Sequence, residues 1–497
     1  MSELRRPTLV VLGAMLAAIA IGCGAIDSED DNPEGEQLPA ARTAAILELL
    51  LDRDVPDAPL NQALDEIVES GDTRFVAVLI ELQRAGPSQL AAWDPRFADV
   101  LNALTGEIYG NAWDQWVEWY GRSDLEPPPG FATWKGRILS GIDPRFSEFL
   151  RDDFVTTIPI EQIAWGGVAV DGISTLNSPP LLSAAEASYL DPGEPVFGVI
   201  ANGEARAYPL RIMDPHELVN DTLGGTPISL AYCTLCGTGL AFDTTQDDGT
   251  VFTFGTSGLL FQSNKLMYDH QTGSLWNQFT GQPVVGPLAS SARASNGPRL
   301  DLLPLVISSW ENWLAQHPQT TVLDINTGQG FGYTLGYPYL DYFAFGDLWF
   351  PVADRNSQLG AKEWIFGLNI GGEQKAYALY ALLGGGEVVN DTLGGADLAV
   401  IATSPLINVS AVAPGAGELE YQVASEVRAY ERPPGLEFAF TSDPGVFEDN
   451  LGGRWTLTEE ALIAADGTTA PRIVGHTSFW FGWFQFFPRT ELLGGRS

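Results

Sequence analysis

Residues 219–243 read V-N-D-T-L-G-G-T-P-I-S-L-A-Y-C-T-L-C-G-T-G-L-A-F-D, and residues 252–281 read F-T-F-G-T-S-G-L-L-F-Q-S-N-K-L-M-Y-D-H-Q-T-G-S-L-W-N-Q-F-T-G. Leu218-Val219 and Pro227–Tyr232 are mostly apolar and flank Leu223-Gly224-Gly225, a pattern that predicts a β-hairpin. Cys233 and Cys236 fall at the end of its second strand, before Gly237 and Gly239. They are two of the three cysteines in the chain. This is the strongest candidate for chemistry.

Upstream, Val196–Ile200 and Ala205–Leu210 flank Asn202-Gly203, a second hairpin signal. A short helical piece is expected around Asp214–Leu218, carrying His216 and Glu217. Further along, these elements return. E-P-V-F-G-V-I-A-N-G-E-A-R-A-Y-P-L (194–210) has its echo in E-W-I-F-G-L-N-I-G-G-E-Q-K-A-Y-A-L (363–379), and V-N-D-T-L-G-G recurs unchanged at 389–395. Asp269 and Trp276 have looser echoes in Asp449 and Trp455, and Trp310 and Trp313 in Trp480 and Trp483. Collinear matches of this kind point to a tandem duplication. The expected fold class is therefore α+β and multidomain: an α-helical N-terminal module followed by a tandemly duplicated, mainly β body. The first β-rich repeat is placed at 158–347 and a second, degenerate one at 348–497.

The two copies differ in their polar groups. Thr403 and Leu406 stand where the first copy has Cys233 and Cys236, and Phe487 stands where it has His317. Asn450 lies opposite His270, and A-L-L-G-G-G-E opposite the His216 region.

These motifs resemble a bacterial and archaeal family known as domain of unknown function 3179. The resemblance rests on H-E-L-V-N-D-T-L-G-G (216–225), Y-C-T-L-C-G-T-G-L-A-F-D (232–243), F-G-T-S-G-L-L-F-Q-S-N-K-L-M-Y-D-H-Q-T-G-S-L-W-N-Q (254–278) and W-x-x-W-x-x-x-H-P-x-T (310–320). It covers most of the chain from about Ile158. In that family the cysteine motif commonly reads C-P-L-C, so Thr234 replaces a proline. The resemblance implies no activity, substrate or cofactor.

Residues 41–152 read as helices. Asp72 can cap a helix whose Phe75, Val78, Leu79 and Leu82 form one apolar stripe, and Trp113, Trp116 and Tyr120 form another. A small right-angled bundle or a HEAT-like stack would bury both. Before this module, Arg5-Arg6, the apolar run Leu9–Ile21 and Gly22-Cys23 read as a lipoprotein signal peptide (1–23). Cys23 is then the lipidated first residue of the mature chain, followed by an acidic tether (24–40). That reading anchors the protein to a bacterial membrane, outside the cytoplasm, with the outer membrane or cell surface favoured.

The formal charge of −37 argues against nucleic acid as a partner, because phosphate binding needs a basic surface. There is no P-loop, no dinucleotide fingerprint and no nucleophile elbow. Cys-x-x-Cys-Gly puts two thiols on one turn, as in half of a zinc knuckle. Further ligands would come from His216, His270 and His317, three of the four histidines, and sulfur with imidazole suits copper or zinc. A structural or redox-active disulfide, in a protein that works as a surface interaction or structural element, is the alternative. Ser257, Ser263 and Tyr268 are further candidates to line a pocket beside the cysteines.

Overall fold

Asn202-Gly203 and Gly224-Gly225 both have positive φ at the two central residues, as type I′ hairpin turns require. They join Pro195–Ala201 to Glu204–Pro209 and Leu218–Leu223 to Thr226–Cys233, in the antiparallel registers that such turns impose. These hairpins belong to a computed structural model that describes residues 37–52, 54–85, 94–289, 297–383, 388–413 and 417–495. The leader, Cys23 and nearly all of the tether lie outside the described residues.

Seven α-helices run from Ala40–Leu49 to Phe146–Phe149 among the described residues. Phe75, Val78, Leu79, Leu82, Trp116 and Tyr120 are buried in their core, and Trp113 is partly buried against it. Lys135 ties this region to the β body. It is fully buried, pairs with Glu81 at 2.8 Å and donates to the carbonyls of Ile160 and Ile163.

The remainder is largely β. Among the described residues, three five-stranded sheets fill residues 163–323, and sheets of four, eight and two strands follow. The short helix preceding Leu218 spans Leu210–His216, slightly earlier than the sequence suggests, and ends in Glu217 at φ +58°.

The same contacts recur in both halves of the body. Asn220 brackets Phe254 with two main-chain hydrogen bonds of 2.8 and 3.0 Å, and Asn390 brackets Phe438 with two of 2.9 Å. Trp276 donates to Asp269 at 2.8 Å, and Trp455 to Asp449 at 2.7 Å. Trp313 donates to Thr320 and Trp483 to Thr490, each from a short helix that leads into a strand parallel to the first hairpin. One apolar core runs through both halves, from Phe197, Tyr208 and Leu230 to Tyr377, Val400 and Tyr421. The halves are packed as one body.

Candidate functional site

Cys233 ends the strand Thr226–Cys233, and the strand Thr238–Asp243 returns beside it with Cys233 opposite Thr238. Between them Cys236 N–H donates to the Cys233 carbonyl at 3.1 Å, closing a turn that faces both thiols the same way. Gly237 completes that turn at φ +63°, where a β-carbon would come within 2.7 Å of the Trp364 ring. Only glycine satisfies both demands. Phe479 N–H donates to the Cys236 carbonyl at 2.8 Å, and Phe279 stacks on Phe486 at 4.7 Å. Residues of the second half thus form the rear wall of the cysteine pair.

A second hairpin supplies the opposite side. Phe254–Phe261 and Asn264–Asp269 are joined by Gln262-Ser263, both in the left-handed region, which costs roughly 1–2 kcal/mol per non-glycine residue. The strained turn aims the Ser263 carbonyl at the sulfurs, 3.5 Å from Cys236 Sγ and 3.9 Å from Cys233 Sγ. The register slips between Lys265 and Met267, with the extra residues in the facing strand, and Lys265 alternates onto the same side as the buried Met267.

Lys265 reaches Glu217. Its ammonium lies 3.0 Å from Glu217 Oε2, and it donates to the carbonyls of Glu217 at 2.9 Å and Tyr232 at 3.1 Å. Glu217 Oε1 accepts from the Thr234 hydroxyl at 3.1 Å and from the Tyr339 hydroxyl. All four side chains, with Cys233, line one end of a chamber of about 230 Å³. Its other walls are mainly apolar, from Val168, Ile173, Leu259, Leu260 and Phe350. Trp349, 48 % exposed, marks where it meets solvent.

The two thiols are not equivalent. They stand 3.2 Å apart and are free, so the disulfide of the alternative reading is not formed. Cys233 lines the chamber, while Cys236 is fully buried behind it. Burial pushes both thiols up. At Cys233 this is outweighed by the hydrogen bond with Cys236 and by the main-chain N–H and ammonium of Lys265, against opposition from Glu217, so its pKa falls below the ordinary cysteine value. At Cys236 burial and the neighbouring Cys233 hold the pKa well above that value, although the Asn264 amide, 3.6 Å from its sulfur, pulls the other way. Of the two, Cys233 is the thiol that loses its proton more readily.

The histidines are engaged elsewhere. From His216 the chain runs through one hairpin back to Cys233, yet the His216 Nδ1 meets the Ser174 carbonyl at 2.6 Å and its Nε2 the Tyr333 hydroxyl at 2.7 Å. His270 is exposed and bonds Thr253 at 3.0 Å. His317 packs on Trp313 at 4.1 Å. No group of three or more His, Cys, Asp or Glu is arranged to hold a metal ion among the described residues. Two thiolates on a tetrahedral zinc stand about 3.7 Å apart at the usual ~2.3 Å bond length, and further ligands must complete the set. The pair as found is tighter than that, and the turn brings it a backbone carbonyl and an amide rather than imidazole. The residues present do not fit a copper or zinc centre built with these histidines.

Thr403, in the second half, stands beside an ion cluster. Thr403 donates to Glu426 at 3.0 Å, Glu426 pairs with Arg428 at 3.1 Å, and Arg428 pairs with Glu459 at 2.5 Å, all but Thr403 buried. Residues 170–490 match the family model described as protein of unknown function (DUF3179). The chain belongs to that family. No curated protein and no solved structure matches it.

In this DUF3179 chain the sequence reading identifies Cys233, Cys236 and two of its three accessory residues. Ser257 lines the chamber and Ser263 touches the sulfurs, whereas Tyr268 bonds Asp171 on another face. It misses Lys265 and Tyr339, and it names Glu217 only as the neighbour of His216. A signal for Lys265 was present: it is one of four lysines in a chain with 63 acidic residues.

Proposed function

We propose that Cys233 and Cys236 form a dithiol redox centre that cycles between two thiols and one disulfide. The observation that carries this reading is the asymmetry of the pair: one sulfur on a chamber wall beside a buried ammonium, its partner 3.2 Å behind in the core. An attacking thiolate needs access and a positive neighbour, and a resolving thiol needs only proximity. Closing a disulfide brings the sulfurs to about 2.05 Å, a shift of about 1 Å that a turn between two strands accommodates.

The test is oxidation of the reduced full chain followed by intact-mass and thiol counting. Loss of both thiols with a mass decrease of two hydrogens, reversed by a dithiol reductant and abolished in Cys233→Ser, supports the centre. Two thiols that persist under every oxidant overturn it. Stoichiometric zinc or copper in purified wild type, absent from Cys233→Ser, would replace it by a metal-binding reading.

We also infer that the two β halves arose by tandem duplication, supported by the paired Asn220/Asn390, Trp276/Trp455 and Trp313/Trp483 contacts. The leader supports a lipid anchor at Cys23 and a place outside the cytoplasm, where a dithiol meets oxidants directly.

A further inference from the structure

The chamber in front of Cys233 has one polar end and an apolar body. The polar end is fixed because Glu217, Lys265, Thr234 and Tyr339 are bonded to one another, with Cys233 beside them. Its volume of about 230 Å³ leaves room for on the order of ten non-hydrogen atoms, given the ~30 Å³ that a water molecule takes in the liquid. A folded protein disulfide cannot enter it, since Cys233 is only 2 % exposed.

The hydrogen-bonding sense of that end narrows the ligand further. The ammonium of Lys265 already has three acceptors, and the hydroxyls of Thr234 and Tyr339 both donate to Glu217. What remains on offer is acceptor capacity: the Glu217 carboxylate and the lone pairs of the two hydroxyls. A ligand head seated here must be a donor, and the carboxylate disfavours an anion. An apolar disulfide has no donor head, and carboxylate-bearing disulfides carry the wrong charge.

Resting on the dithiol reading, we propose that the chamber takes small neutral organic hydroperoxides, with the O–OH head at Cys233 and the alkyl or aryl tail along Ile173, Leu259 and Leu260. The Cys233 thiolate attacks the terminal peroxide oxygen. The S–O bond forms, the O–O bond breaks, and the alkoxide leaves and takes the proton of Cys236 to become the alcohol. The Cys236 thiolate then attacks the Cys233 sulfenic sulfur, forming the S–S bond and expelling hydroxide. In sum, one thiolate, one thiol and ROOH give one disulfide, ROH and hydroxide. The two sulfurs lose two electrons and the peroxide gains them. An external dithiol returns the pair to the reduced state by thiol–disulfide exchange.

The experiment compares rates of disulfide formation in the reduced full chain with cumene hydroperoxide, hydrogen peroxide and bis(2-hydroxyethyl) disulfide at equal concentration. Burial of even two carbons of the tail favours cumene hydroperoxide over hydrogen peroxide by about tenfold or more. Ile173→Trp narrows the apolar body and should bring those two rates within about threefold of each other, a loss of most of the tail's contribution. Hydrogen peroxide or the neutral disulfide reacting with wild type as fast as cumene hydroperoxide overturns the ligand class while leaving the dithiol centre standing. No closure with any of the three removes the dithiol centre itself.

Discussion

A β-carbon on Gly482 would stand 3.1 Å from Cys236 Cβ and 3.4 Å from its sulfur. The helix Trp480–Phe486 of the second half therefore sets how much room the buried thiol has. Gly482→Val should destabilise the chain by about 1–3 kcal/mol through overpacking. Gly482→Ala adds one methyl group and gains about 1 kcal/mol of helix propensity, so its net effect should be close to zero. Urea unfolding of both variants beside wild type checks the contrast; equal stability of all three would show that Cys236 is not confined.

The Lys265–Glu217 pair gives a prediction with two opposite signs. Lys265 lowers the pKa of Cys233 and Glu217 raises it. In Lys265→Met the pH midpoint of Cys233 alkylation by iodoacetamide should move up, and in Glu217→Gln it should move down. Lys265→Met also leaves a buried carboxylate unpaired, at a cost of about 3–5 kcal/mol, and the double variant should recover most of it. Midpoints that move the same way in both single variants would refute this account of the thiolate.

Acid sensitivity should arise in the wall behind the cysteines. His476 is buried against Phe279, and burial, then the charge of Arg299, push its pKa down to about 4. In the unfolded chain it titrates near 6.5. Between these values the unfolded state holds a proton that the folded state lacks, so stability is full above about pH 6.5 and falls as pH drops toward about 4. The loss attributable to this group is roughly 3 kcal/mol. His216 and His317, also lowered by burial, act in the same direction. In His476→Gln the slope of stability against pH should flatten across that window; an unchanged slope excludes His476 as a contributor.

The leader carries a separate test. Cys23→Ala should release the protein from the membrane fraction of fractionated cells. Membrane association equal to wild type would discard the lipid anchor.

The hairpins were legible because Asn-Gly and Gly-Gly impose their geometry locally, and Cys-x-x-Cys was legible because both sulfurs lie on one turn. The rest of the site is built at long range. Glu217 and Lys265 are 48 residues apart, Tyr339 arrives 122 residues after Glu217, and Gly482 from near the C-terminus. His216 shows the converse. It is adjacent to Glu217, but the left-handed step at Glu217 sends the chain onward to the site while the imidazole points back to Ser174 and Tyr333. Adjacency in sequence put the wrong member of that pair forward, and Lys265 can lie in a buried strand because Glu217 and two main-chain carbonyls satisfy its ammonium.

The apolar core that passes from Phe197 through Tyr232 to Val400 and Tyr421 makes the two halves inseparable as inherited units. A gene truncated between them would encode a first half whose cysteine pair opens to water on its rear side. Substitutions in the cysteine-free half are thus felt at the thiols, and a change at Phe479 or Gly482 would report on Cys236, which neither residue resembles or replaces.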